Sequence, residues 1–135
     1  NIAVLEEAVN LVISRQEAMR LVVKENENGE PIANYRAFER FSLPYHRLVL
    51  DANDNYTKIR EQNIQRVAFT PFSLADGPLY RFELVEFEGD VDTHSLLIIC
   101  LHHIISDGLS QNILVREVVL AYAALAQGSE PAQSD

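Results

Sequence analysis

The chain has 135 residues, 47% of them hydrophobic, which allows one domain with a real core. Its formal charge is −9, and the acidic residues are scattered in "LEEA", "KENENGE" and "EFEGDVD" with no cluster of Lys and Arg. That argues against a nucleic-acid partner, because neutralising phosphates takes clustered cations.

From Ile2 to about Glu17, the residues Leu5, Ala8, Val9, Val12 and Ile13 recur at helical spacing with Glu6, Glu7 and Asn10 between them. This predicts a helix with one buried face. "MRLVV" alternates as a strand, Asn28-Gly29 supplies a tight turn, and "IANYRAFERF" reads as the returning strand. "DANDNYTKIREQNIQRVAF" predicts a surface helix capped by Asp54 or Asn55, with Tyr56, Ile59, Ile64 (or Asn63) and Val67 inward. Pro71, Gly77 and Pro78 break "TPFSLADGPL". "LYRFELVEF" is the next strand, "EGDVD" a turn, and "THSLLIICLHH" a strand expected to be buried on both faces. The single cysteine, Cys100, lies in that run, which excludes an internal disulfide and suits a buried, inert thiol in a reducing compartment.

"LSQNILVREVVLAYAALAQG" predicts a long helix with Ile113 or Leu114, Val118, Ala121 or Tyr122, and Leu125 inward, stopped by Gly128. The order implies an α+β fold, helices packed on a mainly antiparallel sheet, over residues 1–128, with 129–135 as a linker-like tail. The amphipathic start without a lead-in and that tail read as a piece of something longer. No segment approaches the ~20 apolar residues of a membrane span, and no basic-then-apolar leader is present, so a soluble, cytoplasmic protein with no membrane partner is expected.

The chemistry concentrates in "LLIICLHHIISDGLSQNIL", where His102 and His103 end the apolar run and Asp107-Gly108 follow. One reading is purely structural: Ser106 or Asp107 caps a helix beginning near Leu109, and the histidines bond locally. A metal site is disfavoured, because adjacent strand histidines point to opposite faces and His46 and His94 lack ligand spacing. A serine hydrolase lacks its "G-x-S-x-G" turn. The remaining reading is one histidine as a general base, a role that suits an imidazole because its neutral form accepts a proton near pH 7.

"HHIISDG", His102 to Gly108, resembles the HHxxxDG signature of nonribosomal peptide synthetase condensation domains, in the chloramphenicol acetyltransferase-like superfamily. "SRQEAMRLVV" is similar to the upstream RHExLRxxF element of that family: Arg15, Glu17 and Arg20 match, and Gln16 and Val23 depart from it. "PFSLADGPLYRFELV" and "VREVVLAYAAL" agree in order and spacing. The resemblance runs through the whole chain, but the family's domain is longer, so it implies a chloramphenicol acetyltransferase-like half-domain: most of the N-terminal lobe, without its start and without the C-terminal lobe.

The resemblance implies amide formation between a donor acyl or peptidyl thioester and the amine of an acceptor aminoacyl thioester. Both would be carried on phosphopantetheine arms of carrier domains, with no cofactor or metal bound by the chain itself. By the same resemblance His103 is the catalytic residue, as base or positioner of the amine, and His102 is its more buried neighbour. Asp107 is structural, Gly108 permits close approach in the loop, and Arg20 is a candidate for an ion-pairing or structural role. The partners implied are the upstream and downstream carrier domains and the missing lobe, and the isolated chain is expected to be weakly active or inactive. Gln111, where epimerising relatives carry tryptophan, and the retention of both histidines favour ordinary condensation. Two alternatives stand beside it: a non-catalytic docking module for carrier proteins, and a coenzyme A-dependent acyltransferase of the same superfamily.

Overall fold

The computed structural model describes residues 1–89, 93–106 and 110–128. The element order is α1 (Ile2–Arg15), a 3-10 turn (Glu17–Arg20), β1 (Leu21–Glu25), β2 (Pro31–Tyr35), β3 (Tyr45–Val49), α2 (Tyr56–Phe69), β4 (Tyr80–Glu88), β5 (Thr93–Leu101), the short α3 (His103–Ser106) and α4 (Gln111–Ala126). It is an α+β fold. These elements fall into two units, one from Asn1–Ser42, Ser73–Leu79 and the residues after Leu101, the other from Leu43–Phe72 and Tyr80–Leu101.

In the first unit α1 packs along α4. The apolar stripe read from the sequence forms the contact: Ala8, Val9, Val12 and Ile13 on α1, and Leu114, Val118 and Ala121 on α4, are all buried. Two polar residues sit on the same stripes. Asn10, expected to face solvent, is buried, and its amide spans the main chain of Phe41. Nδ2 donates to the Phe41 carbonyl at 2.8 Å and Oδ1 accepts from its N–H at 2.6 Å, as a neighbouring strand would. Glu117 of α4 is buried, and its Oε1 has no hydrogen-bond partner among the described residues.

The chain leaves α1 earlier than expected. Gln16 turns to φ −101°, ψ 99°, and one 3-10 turn carries Met19, fully buried, before β1 begins at Leu21. β1 and β2 form an antiparallel hairpin in which Leu21 lies opposite Tyr35. At its turn, Asn26 Oδ1 accepts from the N–H groups of Asn28 and Glu30, and Gly29 takes the left-handed φ of 76° that the Asn-Gly pair foretold. β2 ends at Tyr35, well short of the strand expected to run on through "RAFERF". Just beyond it Arg36 N–H still bonds the Arg20 carbonyl, and side chains then hold the backbone, Arg20 Nη1 on the Arg36 carbonyl and Asn10 on Phe41. At the surface Arg40 bridges Glu6 and Glu7, and its hydrogen bond to Glu7 is the main reason it lies above the ordinary guanidinium range.

The second unit is a three-stranded sheet in the order β3-β4-β5, covered on one face by α2. β4 and β5 pair antiparallel with Leu84 opposite Leu97. β3, which the sequence left unassigned, pairs parallel to β4 with His46 opposite Val85. The sheet is therefore mixed rather than built from hairpins alone. Two-residue alternation places Val85 and Phe87 of β4 and Ile98 of β5 against Val67 of α2, and Tyr56 meets Phe87 edge-on at 5.1 Å. Asn55 caps α2 through Lys58 N–H at 3.1 Å, one of the two expected caps. The other end of α2 is closed by Arg81 of β4, whose guanidinium donates to the carbonyls of Val67, Thr70 and Pro71 and lies 4.0 Å over the Phe72 ring. Buried Glu83 is held by Arg66 Nη2 at 2.5 Å and His46 Nε2 at 2.7 Å.

β5 departs from the strand expected to be buried on both faces. Its first three residues are exposed and only Ile98 is buried. The "EGDVD" turn falls largely, and the tail 129–135 wholly, outside the described residues. No described helix is long and apolar enough to cross a membrane.

Candidate active site

The apolar run "LLIICL" makes β5, but the strand stops at Leu101, so the two histidines are not its last rungs. His102 is a turn residue and His103 opens α3. Strand alternation therefore does not set the directions of their side chains. What separates them is capping. His102 Nδ1 accepts from the Ile104 N–H at 3.1 Å, the bond an N-cap side chain makes to the second helical residue, while its carbonyl accepts from the N–H groups of Ile105 and Ser106 at 3.1 and 3.2 Å. An Nδ1 that accepts leaves the proton of the neutral ring on Nε2. The main-chain N–H of His102 donates to the Leu79 carbonyl at 2.9 Å. His102 is thus half-buried and tied at three points to the backbone around it.

His103, one residue on, is exposed. Its ring lies 6.4 Å from that of His102, nearly perpendicular to it, and makes no hydrogen bond among the described residues. Its carbonyl accepts from Ser106 Oγ at 3.0 Å, and Ile105 beneath it is fully buried. The short helix therefore has a buried anchor and a solvent-facing imidazole. Chemically such a ring is able to accept a proton or hold an amine by a hydrogen bond.

Asp107 and Gly108 lie outside the described residues. The long helix begins at Gln111, not near Leu109, and it is Ser110 that caps it, accepting from Ile113 N–H at 3.2 Å, rather than Ser106 or Asp107. Arg20 makes no ion pair with a described carboxylate. Its Nη1 donates to the Arg36 carbonyl at 3.0 Å, and its buried Nε has no partner among the described residues. No group of three or more His, Cys, Asp and Glu suited to a metal ion occurs among the described residues.

Comparison with known proteins decides the family. The profile described as "Condensation domain" matches residues 1–135. The chain belongs to the condensation-domain family. It is 36% identical over 114 residues to gramicidin S synthase 2 of Brevibacillus brevis, a match covering 84% of this chain and 2% of that protein. Among solved structures it superposes on the starter condensation domain of rhizomide synthetase with a TM-score of 0.77 and 23% identity, covering all of this chain and 31% of that one. It also superposes on the epimerization domain from the third module of tyrocidine synthetase B with a TM-score of 0.74 and 20% identity, covering 100% of this chain and 30% of that one. The chain thus spans about a third of the solved chains and a few per cent of the curated synthetase. The two structural likenesses establish a shared fold and leave the reaction to the residues.

Sequence reasoning passed over two residues that hold this site. Leu79 supplies the carbonyl for His102, and Arg36 holds the loop that leads to it, Nη1 donating to the Asp76 carbonyl at 3.0 Å. "PFSLADGPL" agrees with the family as a stretch, but a main-chain carbonyl carries no residue signature, so the Leu79 bond is visible only in the fold.

Proposed function

We propose that this chain is the histidine-bearing lobe of an amide-forming condensation domain in a nonribosomal peptide synthetase. In this reading the acceptor's amine nitrogen attacks the donor thioester carbonyl, the N–C bond forms and the C–S bond breaks. The amine proton is taken or steered by His103 and ends on the departing pantetheine sulfur. The chemistry needs alignment of two tethered substrates and one proton acceptor, with no enzyme nucleophile. The observation that supports it is the exposed imidazole of His103, without a hydrogen bond among the described residues, directly after His102, whose main chain and ring are anchored. Phosphopantetheine arms, both carrier domains and a second lobe complete the site.

Of the alternatives, the docking module is the one that the departure at Gln16 from the RHExLR element would favour. That residue serves as the C-cap of α1, its N–H donating to the Val12 carbonyl at 2.9 Å, a main-chain duty that a change of side chain leaves intact. Gln111, exposed in the first turn of α4, continues to favour condensation over epimerisation. The test is amide formation by the complete parent synthetase with donor and acceptor carriers loaded, comparing His103 with His103→Ala. Loss of product with the fold retained supports the reading, and undiminished product moves the docking module to the front.

A further inference from the structure

Resting on the reading of His103 as the reactive imidazole, we infer that Arg36 is a positioning residue for it, acting through the loop Ser73–Leu79. The chain of contacts lies within one unit of the fold. Arg36 is itself fixed at three points: its N–H donates to the Arg20 carbonyl at 2.8 Å, its carbonyl accepts from Arg20 Nη1 at 3.0 Å, and its Nη2 donates to Glu39 at 3.2 Å. From there Nη1 reaches the Asp76 carbonyl at 3.0 Å. The next residue, Gly77, lies flush against this guanidinium and against Val22, at φ 62°, with its N–H on the Ser73 carbonyl at 2.8 Å. Two residues further, fully buried Leu79 presents the carbonyl that receives His102 N–H at 2.9 Å, directly before His103. A shift of the loop at Asp76 is therefore passed to the main chain that sets where the imidazole sits.

Only a forked side chain holds Asp76 and Glu39 together from this position, which is why arginine suits it. A second tie, Val23 N–H to the Leu74 carbonyl at 2.7 Å, keeps the loop attached to β1 without Arg36. Arg36 is also partly exposed, so its replacement leaves a folded chain.

The experiment has two readouts. In the 135-residue chain, the NMR signal of the His103 Hε1 proton is followed through pH for wild type, Arg36→Met, Arg36→Lys and Glu39→Gln. In the complete synthetase, kcat and KM for amide formation are measured for the same variants and for His103→Ala. The inference predicts that Arg36→Met moves the His103 signal and lowers kcat roughly ten- to a hundredfold with carrier KM unchanged, since displacements of about 1 Å at a reacting group cost that much. Arg36→Lys, which retains one donor for Asp76 but not the fork, restores part of both, and Glu39→Gln, which keeps an acceptor for Nη2, changes both less than Arg36→Met does. An unmoved signal and an unchanged kcat in Arg36→Met overturn it. If His103→Ala keeps full turnover, the catalytic reading falls, and a moved His103 signal in Arg36→Met still establishes the positioning contact.

Discussion

Gly77→Ala tests how tightly the Ser73–Leu79 loop is seated. Two costs are separable. The φ of 62° is left-handed, and an L side chain there costs about 1–2 kcal/mol. A Cβ would also fall 2.7 Å from Val22 Cγ1 and 3.2 Å from Arg36 Nη1. Val22 is β-branched and 1% exposed, so it has neither a free rotamer nor space to retreat into. Forcing one methyl into such a place costs about 1–3 kcal/mol. The sum is about 2–5 kcal/mol, which for a chain of this size lowers Tm by roughly 8–20 °C. Gly29→Ala is the control: its φ is 76° with nothing within 4 Å, so only the backbone cost applies and Tm falls by roughly 4–8 °C. Melting followed by circular dichroism measures both. Repeating Gly77→Ala in a Val22→Ala background should remove most of the difference from Gly29→Ala, leaving only the 3.2 Å contact with the flexible end of Arg36. Equal losses for Gly77→Ala and Gly29→Ala in the wild-type background would refute the contact reasoning.

Other substitutions bear on the remaining frame. Asn10→Ala removes both side-chain bonds to the Phe41 main chain and should cost about 2–6 kcal/mol in urea unfolding, at about 1–3 for each; a loss under about 1 would show that other partners replace the amide. Arg81→Ala removes the guanidinium from three carbonyls at the end of α2 and should cost about 1.5–3 kcal/mol, read as a lower urea midpoint with α2 amides exchanging faster. Glu117→Gln replaces a buried carboxylate whose Oε1 lacks a partner among the described residues, and the isolated chain should keep or gain stability by up to about 1 kcal/mol. A marked loss there would reveal a partner for the carboxylate.

The helices were legible because their cores are periodic: Ala8, Val9, Val12 and Ile13, or Leu114, Val118 and Ala121, announce a buried stripe whatever covers it. The same periodicity hid Asn10 and Glu117, which occupy the stripe but read as surface by their chemistry. β3 was not legible because "YHRLV" is five residues with a mostly exposed pattern, and its stability comes from parallel pairing to β4, some forty residues away in sequence. The histidine turn was found but misdrawn. An apolar run ending in "HH" looks like a strand to its end, and nothing in the letters says that an imidazole nitrogen takes an N-cap bond at Ile104. The pattern of His102, His103, Asp107 and Gly108 carried the family resemblance. The contacts that hold His102, the Leu79 carbonyl and the Arg36 guanidinium on the Asp76 carbonyl, end on main-chain atoms, which no residue pattern records.

The measurement that bears most directly on His103 is single-turnover amide formation in the complete synthetase, with both carriers preloaded so that loading and release drop out. His103→Ala is compared with His102→Ala and wild type after circular dichroism has shown all three folded. A side chain that transfers or steers the proton is worth roughly 10²–10⁴ in rate, so His103→Ala should fall by that factor. His102→Ala should chiefly lower the melting temperature by freeing the cap at Ile104, with a smaller loss of rate. A folded His103→Ala protein that forms amide at the wild-type rate would contradict the account.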